Sequence, residues 1–428
     1  MFMPQYSSMD KNTLLEEYRK LSDTYAEYRA QGLSLNMARG KPGAQQLDLS
    51  NDMLNVLTSE TSFETIDCPD CRNYGGLAGI EEARRLFAEL MGVEEKNVFV
   101  GGNSSLNMMF DTIACMMERG CSGEKPWNQQ GHIKFLCPAP GYDRHFGVTQ
   151  YFGIEMIPVP MTENGPDMDQ VEKLVANDAS VKGIWCTPKY SNPQGITYSD
   201  ETVKRFAALN PAAKDFRIMW DNAYIIHDIN GTPDHLLNIF DEVRKTGKED
   251  MVFEFCSTSK ITFPGSGVAA LAASEANIKN LSERYQFQTI GHDKLNMLRH
   301  VLYFKNLDGL MAHMQKHRAV LEPRFNMVTD TLDKELSGYG IAKWTKPNGG
   351  YFVSVDVMDG CAKKVVQLCK EAGVILTGAG ATYPYGSDPK DSNIRVAPTY
   401  PPLEELEKAM AVFCICVKLA ALEKIINE

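Results

Sequence analysis

The chain has 428 residues, 43% of them hydrophobic, with 44 Lys+Arg against 55 Asp+Glu and a formal net charge of −11. This length and composition support a large core divided between roughly two to three domains, while the acidic balance excludes the basic face that nucleic-acid binding requires. No apolar run approaches the ~20 residues of a membrane-spanning helix, so neither nucleic acid nor membrane is an expected partner.

The first stretch, MFMPQYSSMDKN, has no apolar signal core, and the 11 cysteines show no framework spacing; together they predict a reduced, cytoplasmic setting. Leu14, Leu15, Tyr18, Leu21, Tyr25 and Tyr28 recur at helical spacing and predict a helix over 12–29. Cys68-Pro-Asp-Cys71 has zinc or redox spacing, but a structural zinc takes four ligands and no second pair stands at finger spacing nearby. Further on, residues 80–93 read as a helix, 97–102 as a strand and turn, and 105–118 as a helix.

Apolar runs at 132–138, 154–160, 181–188, 216–221 and 251–257 read as strands, with the helical patterns VEKLVAND and TVKRFAAL between them. This alternation predicts an α/β fold with a mainly parallel sheet covered on both faces. Beyond about residue 310 the character changes to a long helix, NGGYFVSVDV, a helix AKKVVQLCKEAG, a short VILTG strand, IRVAP and a final helix. That part reads as a smaller α+β domain packed with the N-terminal helix. The expected division is 51–309 as the large domain, with 1–50 and 310–428 forming the small one. His313 and His317 are four apart on the long helix and should meet on one face, without the glutamate of an HExxH site.

In parallel sheets ligands sit at the carboxyl ends of strands, and here those ends carry Asn192 in SNPQG, Asp221 and Tyr224 in DNAY, and Lys260 in STSK, with Arg395 later in NIRVAP. Singly, each has a bland reading: a turn, a helix cap, a solvated charge. Together they match the needs of one cofactor. Pyridoxal 5'-phosphate takes an amine for its aldehyde, a carboxylate for its ring nitrogen, donors for its phenolate oxygen and a phosphate cradle. Lys260, Asp221, and the pair Asn192 and Tyr224 supply the first three. The loop Gly102-Asn103-Ser104-Ser105 opens a helix and offers N–H groups and hydroxyls to a phosphate, with Ser257 and Ser259 as further donors.

On these residues, and on NYGGLAG (73–79) and NGGYF (348–352), the chain resembles the class I/II aminotransferases, pyridoxal-phosphate enzymes of fold type I. NMARGKPG (36–43), PGYDRHF (140–146), TPKYSNPQG (187–195) and SKITFPGSGVA (259–269) narrow the likeness to an aspartate aminotransferase subgroup. The catalytic part of that subgroup is similar to the aminotransferase-like half of certain winged-helix regulators; no DNA-binding module is expected ahead of residue 36 here. The resemblance implies a seven-stranded-type, mainly parallel sheet between helices plus the smaller α+β domain. It makes Lys260 the lysine that carries the cofactor and then the proton-shifting base. Asp221 keeps the ring nitrogen protonated, Tyr224 and Asn192 tune the phenolate oxygen, and Arg395 binds the substrate α-carboxylate. Tyr142 stacks on the ring, and Gly40 lies against the substrate. Tyr74 reaches the neighbour's phosphate in a homodimer.

One departure stands out. Many relatives carry a phosphate-binding arginine about eight residues after the lysine, where this chain has PGSGV with Ser266 and Gly267. The implied reaction is transamination of an amino acid with a 2-oxo acid, aspartate with 2-oxoglutarate foremost. Arg39, Arg144 and Lys189 are the candidates for a side-chain carboxylate. The alternatives are an alanine-type aminotransferase or amino-acid lyase on the same fold, or a ligand-sensing module without turnover.

Overall fold

The computed structural model describes residues 5–428; Met1–Pro4, the head of the stretch read for an export signal, lie outside the described residues. Seven strands build the central sheet: β1 Val98–Val100, β2 Lys134–Ala139, β3 Glu155–Thr162, β4 Val181–Cys186, β5 Arg217–Asp221, β6 Val252–Ser257 and β7 Ala269–Ala273. Their order across the sheet is β1-β7-β6-β5-β4-β2-β3, and the two residues Gly165–Pro166 add an eighth, antiparallel edge. The pairs β6·β5, β5·β4, β4·β2 and β2·β3 are parallel, whereas β7 runs antiparallel to both β6 and β1.

The inner strands VKGIWC, RIMWD and AALAA are buried along their whole length, as strands covered by helices on both faces must be. Six helices matter below: α1 Lys11–Ala30, α2 Ser105–Arg119, α3 Asp143–Tyr151, α4 Lys294–Phe304, α5 Leu307–Leu336 and α6 Leu403–Asn427. The later part of the chain forms a three-stranded antiparallel sheet of β8 Ala342–Trp344, β9 Val353–Val357 and β10 Asn393–Val396. Leu35–Asn36 pairs in parallel with Val374–Ile375, tying the start of the chain to its end. Leu14 and Tyr25 of α1, Phe325 and Val328 of α5, and Met410 and Phe413 of α6 share one apolar cluster with β9. The N-terminal helix therefore packs against the later part of the chain.

Three differences from that reading bear on the site. β7 was not foreseen; it lies in SKITFPGSGVA and closes the sheet between β1 and β6. α3 starts inside PGYDRHF, directly after Tyr142. In NGGYFVSVDV only Val353–Val357 is strand; the preceding glycines leave Tyr351 and Phe352 on irregular backbone beside the sheet ends.

Candidate active site

The parallel strands β4, β5 and β6 end at one level, and the loops leaving them surround a cavity of about 180 Å³. Asp221, Tyr224 and Lys260 line it, together with Asn192 and Tyr142. Ser104, Ser105, Ser257, Ser259, Gly40 and Phe352 line it as well. Residues scattered from 40 to 352 in sequence thus meet because the sheet brings its strand ends together.

Asp221 is the last residue of β5 and is 2% exposed. Its Oδ2 faces Nε2 of His145 at 2.9 Å, while its Oδ1 is buried without any protein partner. His145, from α3, is itself buried and stacks on Trp185, with ring centres 4.4 Å apart and planes 6° from parallel. The Trp185 indole donates to Thr149 Oγ1 at 2.7 Å, and that hydroxyl donates to the His145 carbonyl at 2.8 Å. The ring that holds Asp221 is therefore fixed on two sides. His145 escaped the sequence reading although PGYDRHF was singled out; a histidine three residues after Tyr142 was the available signal.

Lys260 follows β6 by three residues, and its ammonium lies 4.8 Å from the centre of the Tyr224 ring. Burial lowers its pKa, opposed by the charge of Asp221, so the neutral amine is favoured relative to a lysine in water. Tyr224 is held well above its usual range, mainly by burial and then by Tyr142 and Asp221, and keeps its proton.

α2 begins at the serines. Ser104 caps it, accepting from the Leu106 N–H at 3.2 Å, which leaves the positive end of a 15-residue helix facing the cavity. Ser257 donates to Ser259 at 3.0 Å, and Ser259 donates to the Asn103 carbonyl at 3.3 Å. Asn103 itself is exposed; its backbone ties this loop to the lysine loop. Gly40 must be a glycine, because a Cβ there would lie 2.2 Å from Phe352 Cζ.

Arg395 on β10 is 7% exposed and stacks over Phe352, 4.7 Å from the ring centre. Its Nη1 donates to Asp143 Oδ1 at 3.0 Å and to Asn192 Oδ1 at 3.1 Å, and its Nη2 reaches Thr377 at 3.4 Å. Its Nε is buried without a partner. Tyr74 lies apart from the cavity, 82% exposed, on a loop pinned by Lys294 donating to the Gly75 carbonyl at 2.7 Å.

Of the three candidates for a side-chain carboxylate, Arg39 and Arg144 are exposed beside Gly40 and Tyr142. Lys189 does not line the Lys260 cavity: its ammonium donates to the Ile225 carbonyl at 2.9 Å in a separate cavity of about 210 Å³ that also holds Asn222 and Glu254. Where the expected arginine is missing, α4 supplies Asn296, which donates to the Ser266 and Gly267 carbonyls at 3.0 and 2.8 Å, and Arg299, which donates to the Ser266 hydroxyl at 3.2 Å. The Arg299 Nε is buried and unpartnered.

His313 and His317 do meet, at 3.1 Å, and the His313 Nε2 also faces the Ile261 carbonyl at 2.9 Å. They belong to a buried hydrogen-bonded network with Gln46 and Ser50. Cys68 and Cys71 are buried and free.

The residues fit pyridoxal 5'-phosphate. The unpartnered Asp221 Oδ1 suits a protonated ring nitrogen, the hydroxyls at the α2 terminus suit a phosphate, and the Lys260 amine lines the same cavity.

Comparison with known proteins identifies the family. Residues 9–428 match the family model described as aspartate amino-transferase. An aspartate aminotransferase of Corynebacterium glutamicum is 45% identical over 94% of this chain and 93% of its own length. The crystal structure of an aspartate transaminase from the same species superposes with a TM-score of 0.95 at 43% identity, covering 98% of this chain and 99% of that one. At 19% identity, the α-aminoadipate aminotransferase LysN of Thermus thermophilus, solved with N-(5'-phosphopyridoxyl)-L-leucine, shares the fold with a TM-score of 0.73 over 94% of this chain and 95% of its own.

Proposed function

Because the chain belongs to the aspartate amino-transferase family, we propose that it moves the amino group of aspartate to 2-oxoglutarate, using pyridoxal 5'-phosphate held in the Lys260 cavity. One observation carries the cofactor assignment: a buried carboxylate oxygen, Asp221 Oδ1, is left without a partner in the same cavity as a deprotonation-prone lysine.

When bound, the cofactor supplies the electron sink for the pair left at the substrate Cα. The chain's own groups do the rest. Lys260 Nζ, with its depressed pKa, is suited to take the proton from the substrate Cα and hold it for the 1,3-shift across the substrate nitrogen. Asp221 keeps the ring nitrogen protonated, and His145 keeps Asp221 aimed. Asn192 spends its Oδ1 on Arg395, which leaves its Nδ2 to donate beside the Tyr224 hydroxyl toward the phenolate oxygen. Arg395 takes the α-carboxylate through its planar fork. Arg299 is the basic group best placed to stand in for the missing phosphate arginine. Arg39 and Arg144, exposed and within two residues of the cavity-lining Gly40 and Tyr142, favour a second carboxylate on the substrate. The eleven free cysteines support a reducing, cytoplasmic setting, and among the described residues no helix is long and apolar enough to cross a membrane.

A homodimer completes the reading. Tyr74 is 82% exposed, Phe287 85% and Ile290 62%, and Gly291 packs on Gly75, which brings the two segments that carry them together.

The test is the visible spectrum of the purified protein with added cofactor. A yellow band bleached by aspartate and restored by 2-oxoglutarate supports both half-reactions. Bleaching by alanine but not aspartate would transfer the site to another amino acid, and turnover without a 2-oxo acid would make the protein a lyase. Lys260→Ala must abolish covalent retention of cofactor after borohydride; retention elsewhere on the chain would remove Lys260 from its role.

A further inference from the structure

Arg395 is sealed by the protein's own carboxylate. Its guanidinium is 7% exposed, does not line the Lys260 cavity, and has Asp143 Oδ1 at 3.0 Å on Nη1. A buried arginine without a counter-ion is costly, and the Asp143 carboxylate offsets that cost while no substrate is present. Asp143 itself is not locked in place. Its side chain is 33% exposed, and Arg395 is its only ion-pair partner among the described residues. It is also the first residue of α3, where the helix N-terminus stabilises a negative charge turned toward solvent.

We propose that Asp143 is an internal competitor for the α-carboxylate site: it occupies Arg395 in the resting enzyme and is displaced by the incoming substrate carboxylate. The inference rests on Arg395 being the α-carboxylate group. Charge balance at Arg395 is then the same before and after binding, one carboxylate in each state. The Asn192 contact at 3.1 Å keeps the guanidinium oriented during the exchange. The competition lowers apparent affinity for every amino acid equally, because the side chain of the substrate plays no part in it. Asp143 acts through Arg395, so it is a positioning residue.

The experiment compares wild type with Asp143→Asn, Asp143→Glu and Arg395→Lys, each with cofactor bound. A latch closed about nine-tenths of the time raises an apparent dissociation constant about tenfold. Asp143→Asn should therefore lower KM about tenfold for aspartate and alanine alike, with the effect on KM rather than kcat. Asp143→Glu should restore wild-type values. The second readout needs no turnover: acetate, a bare carboxylate, is titrated against the thermal midpoint. It should act on Asp143→Asn at about a tenth of the concentration needed for wild type, and Arg395→Lys should abolish the response. KM and acetate midpoint that are unchanged or higher in Asp143→Asn would overturn the competitor role. Acetate stabilisation that survives in Arg395→Lys would overturn it as well. A wild type that binds acetate through Arg395 but turns over no amino acid would sink the aminotransferase reading while leaving the latch standing.

Discussion

His145 reaches the Lys260 cavity through the two lining residues it touches, Asp221 by a hydrogen bond and Tyr142 edge-on at 4.9 Å. One ring nitrogen faces Asp221 Oδ2 at 2.9 Å, and the ring lies flat on Trp185. Hydrogen bonds to a charged group are worth about 1.5–3 kcal/mol, so His145→Phe, which keeps the stack and loses the bond, should lower kcat about tenfold or more. Cofactor should also leave the variant more readily on dialysis, which absorbance would follow. Unchanged kcat and retention would mean that Asp221 needs no orienting partner. At this scale the sequence was informative about reacting groups and silent about their supports. Lys260, Asp221 and Tyr224 carry residue types that the chemistry demands. Asp143 and Arg299 have no local signature, because each matters only for the atom it touches across the fold, and His145 had only its place in PGYDRHF.

Strands sort their side chains by parity. Asp221 at the end of β5 lines the Lys260 cavity, while Trp220 before it and Asn222 after it line the second one, with Glu254 of β6 paired opposite Trp220. Glu254 is 3% exposed, and its Oε1 accepts from Asn222 Nδ2 at 2.8 Å. Burial pushes it up from 4.5 to about 7. The folded state thus keeps a proton that the unfolded chain releases above its ordinary value. Stability from this group is lost as pH rises from about 4.5 through 7, by about 3 kcal/mol in all. Glu254→Gln keeps the acceptor and removes the titration. Its melting temperature relative to wild type should rise between pH 5 and pH 8 and then level off; a constant difference would place Glu254 in an ordinary titration range. The same scale shows why β7 was missed. AALAA has neither alternation nor β-branched residues, and it becomes a strand because β1 and β6 flank it with unpaired edges.

For the whole molecule, Tyr74 and Phe287 are the two most exposed of the large apolar side chains, and they sit on segments that meet at Gly75 and Gly291. Phe287→Asp should convert a sedimenting dimer to monomer and remove activity in proportion. Tyr74→Phe should leave the dimer intact and weaken cofactor retention. A fully active Phe287→Asp monomer would end the shared-site reading.

Periodicity and strand-end chemistry were enough, without coordinates, to indicate an α/β sheet and to single out Lys260 and Asp221, which the fold brings into one cavity. These are properties of local pattern and of residue type: burial spacing decides the element, and the reaction decides which side chains it needs. Lys189 and Arg395 show where such reasoning stops. Both are basic residues in motif segments, yet one turns into a separate cavity behind β5 and the other is sealed by Asp143. Which way a side chain leaves a loop, and which distant group meets it, depends on packing between segments up to 252 residues apart. Only the closed fold decides that, because desolvation and pairing have no value until the partners are in place.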